Sequence, residues 1–141
     1  MITYHSASAA DTEAFARDFA ARLRPNDVLA FRGGLGVGKT TFVRGLAQGL
    51  GDGSEVSSPT FAIVHEYSCT PRLCHFDMYR IASLDDLYST GFFDYLETGA
   101  ILAIEWSEQI EDALPPDVIT VYLRRDGEDG RQIIISGGRF E

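Results

Sequence analysis

Apolar residues recur along this chain with two different spacings, and the changes of spacing mark out the elements. In "DTEAFARDFAARL" (11–23) Phe15, Phe19 and Leu23 stand four apart with charged residues on the other faces, which predicts an amphipathic helix. A short strand precedes it at Ile2–His5, and Pro25-Asn26-Asp27 breaks it. "VLAF" (28–31) is a β-prone run that leads into a glycine-rich loop. "KTTFVRGLAQGL" (39–50) returns to helical spacing through Phe42, Leu46 and Leu50 and stops at Gly51-Asp52-Gly53. Beyond the polar loop "SEVSSPT" (54–60), "FAIVHEY" (61–67) and "LCHFDMY" (73–79) flank "SCTPR" as an antiparallel hairpin, which places His75 and Asp77 on one face. Residues 83–99 mix helical and turn signals and predict one or two short helices. "AILAIE" (100–105) is apolar almost throughout, as expected of a strand covered on both sides. A short helix over Ser107–Ala113 ends before Pro115-Pro116, and "VITVYL" (118–123) with "RQIIIS" (131–136) forms a last hairpin. This order predicts an α/β fold spanning residues 1–141 as one domain, with a mixed, mainly parallel central sheet, flanking helices and antiparallel hairpins.

Composition fits that picture and narrows the partners. A chain of 141 residues with 45% hydrophobic and 23% charged residues buries an adequate core without staples. Its 12 Lys and Arg against 21 Asp and Glu leave a formal net charge of −9, which opposes direct binding to DNA or any other polyphosphate backbone, since such binding relies on cationic side chains that release counterions. A single nucleotide is a different matter, because a helix N-terminus, one Lys and a divalent cation supply a local positive field. Cys69 and Cys74 flank a turn and are expected as free thiols, as in a reducing compartment. The N-terminus shows no basic region followed by an apolar one, and the longest apolar run near the middle is "AILAI", so a cytoplasmic protein with no membrane association is expected.

The glycine-rich stretch "FRGGLGVGKTTFVRG" (31–45) places Gly33, Gly38, Lys39 and Thr40 in the spacing G-x-x-x-x-G-K-[ST]. Glycines allow backbone angles that turn N–H groups toward phosphate oxygens, Lys39 reaches the β and γ phosphates, and the Thr40 hydroxyl suits Mg²⁺. A preceding apolar run and a helix beginning at Lys39 supply the context such a P-loop requires. Mg²⁺ also takes a protein acid from a neighbouring strand end, for which Asp77 and Glu105 are the candidates. Thr60, in "SSPTF", lies where other P-loop proteins carry a segment that senses the γ-phosphate, although an ordinary Ser-Pro turn reads equally well. His5, His65 and His75 show no metal-ligand spacing, so His65 and His75 read as hairpin residues. Trp106 alone reads as a core aromatic.

Taken together, "GGLGVGKTTFVRGLAQGLG", "VSSPTFAIVHEY", "CHFDMYR", "GFFDYL" and "AILAIEWSE" resemble, in order and spacing, the loop, "SPT" segment, "HxDxYR" strand and "EW" strand end of the TsaE (YjeE) family of small bacterial P-loop ATPases. The resemblance covers nearly the whole chain. It implies a Mg²⁺-dependent ATPase in the synthesis of threonylcarbamoyl-adenosine next to the tRNA anticodon, slow by itself and working with TsaD and TsaB, with tRNA met only through those partners. By motif it implies that Gly33, Gly34, Leu35, Gly36, Val37, Gly38, Lys39, Thr40 and Thr41 hold the ATP phosphates. Thr40 and Glu105 would be Mg²⁺ ligands, with Asp77 a second catalytic acid also near the metal and Lys39 acting at the phosphates. Thr60 would be a switch-like threonine, Trp106 an aromatic beside the site and Thr12 a residue near the adenine. The family loop usually reads "GDLGAGKTT"; here Gly34 replaces the Asp and Val37 the Ala.

Two other enzyme classes share the loop. A small-metabolite kinase should carry a cation-rich lid over an acceptor pocket, and Arg124-Arg125 is the only adjacent basic pair. A GTPase switch should carry N-K-x-D for the base, which is absent. A nucleotide-gated binding module with negligible turnover overlaps the ATPase reading.

Overall fold

The computed structural model describes residues 1–34, 36–51 and 64–141. Among the described residues seven strands form one sheet: β1 (Ile2–Ser6), β2 (Val28–Arg32), β3 (Val64–Tyr67), β4 (Leu73–Asp77), β5 (Ile101–Glu105), β6 (Ile119–Asp126) and β7 (Gly130–Ser136). Their spatial order is β1-β7-β6-β2-β5-β4-β3. The four central strands run parallel, β6 beside β2, β2 beside β5 and β5 beside β4. Both margins are antiparallel, with β3 on β4 and the β6–β7 hairpin followed by β1. The expected α/β fold with a parallel centre and antiparallel hairpins is what forms.

Alternation along the strands divides the core. Leu29 and Phe31 of β2 face helices α1 (Ala9–Phe19) and α2 (Lys39–Gly49), together with Leu73, Ala103, Ala16, Phe42 and Leu46. Val28 of the same strand faces the other side with Cys74, Phe76, Leu102 and Ile104, under α3 (Leu84–Ser89) and α4 (Phe92–Tyr95). β5 is buried at every position, as its apolar run requires. Burial pushes the Cys74 thiol up to about 11, and both cysteines are free.

Helix boundaries depart from the sequence reading by a few residues, for local reasons. α1 begins earlier, because Ser8 caps it by accepting from the Asp11 N–H, and it tightens into a 3₁₀ turn at Ala20–Arg22. β4 ends at Asp77 and not Tyr79, because the Asp77 carboxylate accepts from the Tyr79 N–H and turns the chain. Ser107–Ala113 is a kinked 3₁₀ segment with Ile110 at non-helical angles. Of the predicted strand 61–67, residues 61–63 lie outside the described residues.

α1 and α2 approach closely because two glycines let them. A Cβ at Gly45 would stand 2.3 Å from the Glu13 carbonyl oxygen and 2.7 Å from Ala16 Cβ, and one at Gly49 would stand 2.3 Å from the Arg17 carbonyl oxygen. The contact carries Thr12 on α1 toward the N-terminus of α2, where the site lies.

Candidate nucleotide site

β2 delivers the chain to Gly33, whose φ is +136° and where any Cβ would fall 2.3 Å from the Leu123 carbonyl oxygen of β6. Only glycine fits there. The loop then reaches Gly38, at φ +98°, which serves as N-cap of α2. Serines cap α1 and α3, Ser8 and Ser83, while α4 starts uncapped at Gly91 but carries Asp94 in its first turn. α2 has neither a side-chain cap nor an acid in its first turn. Its N-terminal dipole is therefore left for an anion from outside the helix. Gly36, Gly38, Lys39, Thr40 and Thr41 border a cavity of about 380 Å³ that Thr12, Glu105 and Trp106 also line.

Lys39 is almost fully buried, and its Nζ donates to the Gly33 carbonyl at 3.1 Å while lying 5.0 Å from the Trp106 ring centre. A buried ammonium needs such partners, and the ring contact is worth about 0.5–2 kcal/mol. Trp106 adopts left-handed angles, φ 58° and ψ 39°, a conformation that costs a bulky residue roughly 1–3 kcal/mol and that collects at working sites. Tyr79 packs on its ring at 4.8 Å between centres.

The far hairpin braces the loop. Arg131 donates through Nε to the Val37 carbonyl at 3.1 Å and through a terminal nitrogen to the Gly36 carbonyl at 3.3 Å, and Arg125 donates to Gly36 at 3.4 Å. Arg131 and Asp129 also border the cavity. Sequence reasoning missed both, since a contact across more than 90 residues leaves no local signal.

Glu105 ends β5 directly opposite Asp77 of β4, and parallel pairing sets the two side chains on one face. Glu105 borders the cavity and is 7% exposed. Its Oε2 lies 2.5 Å from Nε2 of His75, which is fully buried two residues before Asp77. The other ring nitrogen of His75 has no hydrogen-bond partner among the described residues. Read from sequence as a hairpin residue, His75 turns out to hold an acid of the site. The shared face of His75 and Asp77 was the available signal. Asp77 itself is directed to the Tyr79 N–H at 2.9 Å.

Eight of the residues singled out from sequence thus border one cavity: Thr12, Gly36, Gly38, Lys39, Thr40, Thr41, Glu105 and Trp106. Gly33 and Gly34 stand at the start of the loop, and Val37 turns its side chain into the core, leaving its carbonyl to Arg131. Leu35 and Thr60 lie outside the described residues. Thr12 is buried, and its hydroxyl shares a 2.6 Å hydrogen bond with Ser6. Among the described residues no group of three His, Cys, Asp or Glu forms a metal cluster. Thr40 and Glu105 are instead two hard oxygen donors in one cavity, a set that fits Mg²⁺, which binds through one or two protein oxygens and completes its shell with phosphate and water.

A family model described as "Threonylcarbamoyl adenosine biosynthesis protein TsaE" matches residues 6–133. The chain belongs to the TsaE family. It is 39% identical over 135 residues to the tRNA threonylcarbamoyladenosine biosynthesis protein TsaE of Bacillus subtilis, covering 93% of this chain and 84% of that protein. To the Treponema pallidum protein of the same name it is 36% identical over 131 residues, covering 93% and 97%. A crystal structure of Bacillus subtilis YdiB superposes with a TM-score of 0.79 at 33% identity, covering 99% of this chain and 88% of that one. TsaE membership makes this a P-loop nucleotide-binding protein related to tRNA threonylcarbamoyladenosine biosynthesis proteins. No helix among the described residues is long and apolar enough to cross a membrane.

Proposed function

We infer that this protein binds and slowly hydrolyses ATP with Mg²⁺, and that the cycle acts on a TsaD–TsaB assembly during formation of threonylcarbamoyl-adenosine next to the tRNA anticodon. The observation that carries the reading is the convergence of an uncapped α2 N-terminus, Lys39, Thr40 and Glu105 on one cavity. Backbone N–H groups of Gly36–Thr41 donate to phosphate oxygens, and Lys39 leaves the Gly33 carbonyl to meet the terminal phosphates. Thr40 and Glu105 would hold Mg²⁺, which would supply charge neutralisation at the phosphates. Asp77, level with Glu105, is the acid nearest in register to accept a proton from attacking water. Thr12 sits where α1 meets the cavity and contacts the base end, with Trp106 beside the site.

The remaining features concern where the energy goes. A net charge of −9 leaves no evident basic groove for tRNA or DNA, so tRNA is met through the partner proteins, in the cytoplasm. The test is phosphate release by the purified chain, alone and with TsaD, TsaB and tRNA, beside Lys39→Ala. Slow release by itself, strong stimulation by the assembly and loss of ATP binding in a folded Lys39→Ala variant are expected. Undiminished ATP affinity in that variant refutes the site, and transfer of phosphate to a small acceptor in place of water would instead indicate a metabolite kinase.

A further inference from the structure

Three of the five exposed large hydrophobic residues among those described fall within one stretch of ten: Tyr79 (58% exposed), Leu84 (59%) and Tyr88 (62%). Leu84 and Tyr88 stand four apart on α3, so they share its outer face, while Leu87 of the same helix is buried. Beside them runs a groove of about 650 Å³ between the 81–87 stretch and the 107–113 turn, floored by Ile81, Leu87, Phe93 and Ile110. Its rim is acidic. Glu108, Glu111 and Asp112 line it, and Asp85 and Asp86 stand on the first turn of α3. Of these five, only Glu111 makes an ion pair among the described residues, with Arg32 at 2.6 Å.

An apolar floor and apolar knobs inside an acidic ring select their occupant by charge. Nucleic acid and anionic membrane are repelled by the rim, and a second copy of this chain would bring acid against acid. A protein segment carrying an apolar anchor flanked by Lys or Arg is matched on both counts. Both walls of the groove are also continuous with the nucleotide site. One leaves β4 at Asp77 and passes through Tyr79; the other leaves β5 at Glu105 and passes through Trp106. Tyr79 packs on Trp106, and Trp106 lies under Lys39. We propose that the groove between α3 and the 107–113 turn, with Leu84 on its lip and Tyr88 packed on Phe93 of its floor, docks a cationic, apolar-anchored segment of a partner protein. The surface rests on the preceding reading only in taking that partner to be the same assembly.

Binding of the full chain to purified TsaD–TsaB assembly, measured by calorimetry with tRNA absent, tests the surface. Leu84→Ala/Tyr88→Ala should weaken binding by at least about tenfold, as loss of interface anchors does. Glu108→Lys/Asp112→Lys should weaken it and flatten its salt dependence. None of these four side chains borders the nucleotide cavity, so ATP affinity should stay at the wild-type value in both variants. Wild-type affinity for the assembly in both variants, with stimulated ATP hydrolysis intact, overturns the surface and leaves the ATPase reading standing. If the wild-type chain does not bind the assembly, a fluorescein-labelled amphipathic Lys/Leu peptide decides: binding lost in both variants upholds the surface while the partner assignment fails, and no binding overturns it. Self-association or tRNA retention that disappears in Leu84→Ala/Tyr88→Ala would assign the groove to another occupant and overturn the proposal.

Discussion

Replacing Gly45 by Ala sets two effects of opposite sign against each other. Helix propensity favours the substitution by about 0.8–1.0 kcal/mol, because Gly45 lies inside α2. Packing opposes it. The new Cβ would lie 2.3 Å from the Glu13 carbonyl oxygen and 2.7 Å from Ala16 Cβ, and backbone cannot yield as a flexible side chain does. Carbon and oxygen make ordinary contact at well over 3 Å, so α1 must retreat from α2 by about 1 Å, an overpacking cost of typically 1–3 kcal/mol and occasionally more. The clash is severe enough to place the cost at the upper end, leaving a net loss of about 1–2 kcal/mol. With an unfolding entropy of about 2.1 cal/mol/K per residue, that lowers Tm by roughly 3–7 °C. Glu13 follows Thr12, so the retreat should also draw Thr12 away from the cavity and weaken ATP binding. Gly49→Ala makes the same kind of clash, with Arg17, one turn farther from the site. It should cost similar stability with less loss of affinity. Differential scanning calorimetry and nucleotide titration of both variants check this. A Gly45→Ala protein as stable as wild type, or more stable, would show that the helices are not held at this separation.

His75→Gln should loosen Glu105 and weaken the Mg²⁺ dependence of ATP binding by about 10- to 100-fold in metal affinity, with metal-free nucleotide binding retained; an unchanged Mg²⁺ titration refutes the role. The Tyr4 hydroxyl, then the Ala7 N–H, hold the Asp11 carboxyl below its ordinary value, so its contribution is present above the usual carboxylate range and is lost as pH falls through the lowered folded value. Thermal unfolding of wild type and Asp11→Asn should therefore differ at pH 6 and converge toward pH 3. Gly34→Asp, which reverses one of the two loop departures named above, meets open space at an unstrained φ; it should leave ATP affinity intact and hold or raise Tm by up to about 3 °C through reduced chain entropy, and a clear fall in Tm refutes it.

The parts legible in the sequence were those with short-range signals. A period-four pattern located α2, unbroken apolar runs located β2 and β5, and β-rich runs around turn residues located the last hairpin, because each of these signals lies within the element itself however far along the chain its partners are. Boundaries drifted where a side chain overruled the pattern: Ser8 drew α1 back to Ala9, and Asp77 ended β4 two residues early. The kink at Ile110 carries no warning in "SEQIEDA", which reads as an ordinary helix.

At the site, legibility follows the distance between partners. Lys39, Thr40 and the glycines act within one loop, where spacing encodes geometry. Glu105 was visible as an acid ending an apolar strand, a position that demands a partner. That partner, His75, comes from another strand, and the loop's braces, Arg125 and Arg131, come from the last hairpin. Sheet order explains why. β6 and β7 follow β2 in space although they close the chain, so Gly33 packs against Leu123 and the loop carbonyls meet Arg131. The proposed nucleotide site therefore draws on the sheet from β4 to β7, and a substitution in the last hairpin should affect phosphate binding as one in the loop does. Arg131→Ala removes two hydrogen bonds to the loop backbone, leaving the Val37 carbonyl to water and the Gly36 carbonyl to Arg125, so it should lower ATP affinity by about tenfold with little change in Tm, since neither carbonyl belongs to the core. Equal affinity of Arg131→Ala and wild type would confine the site to the loop and its helix.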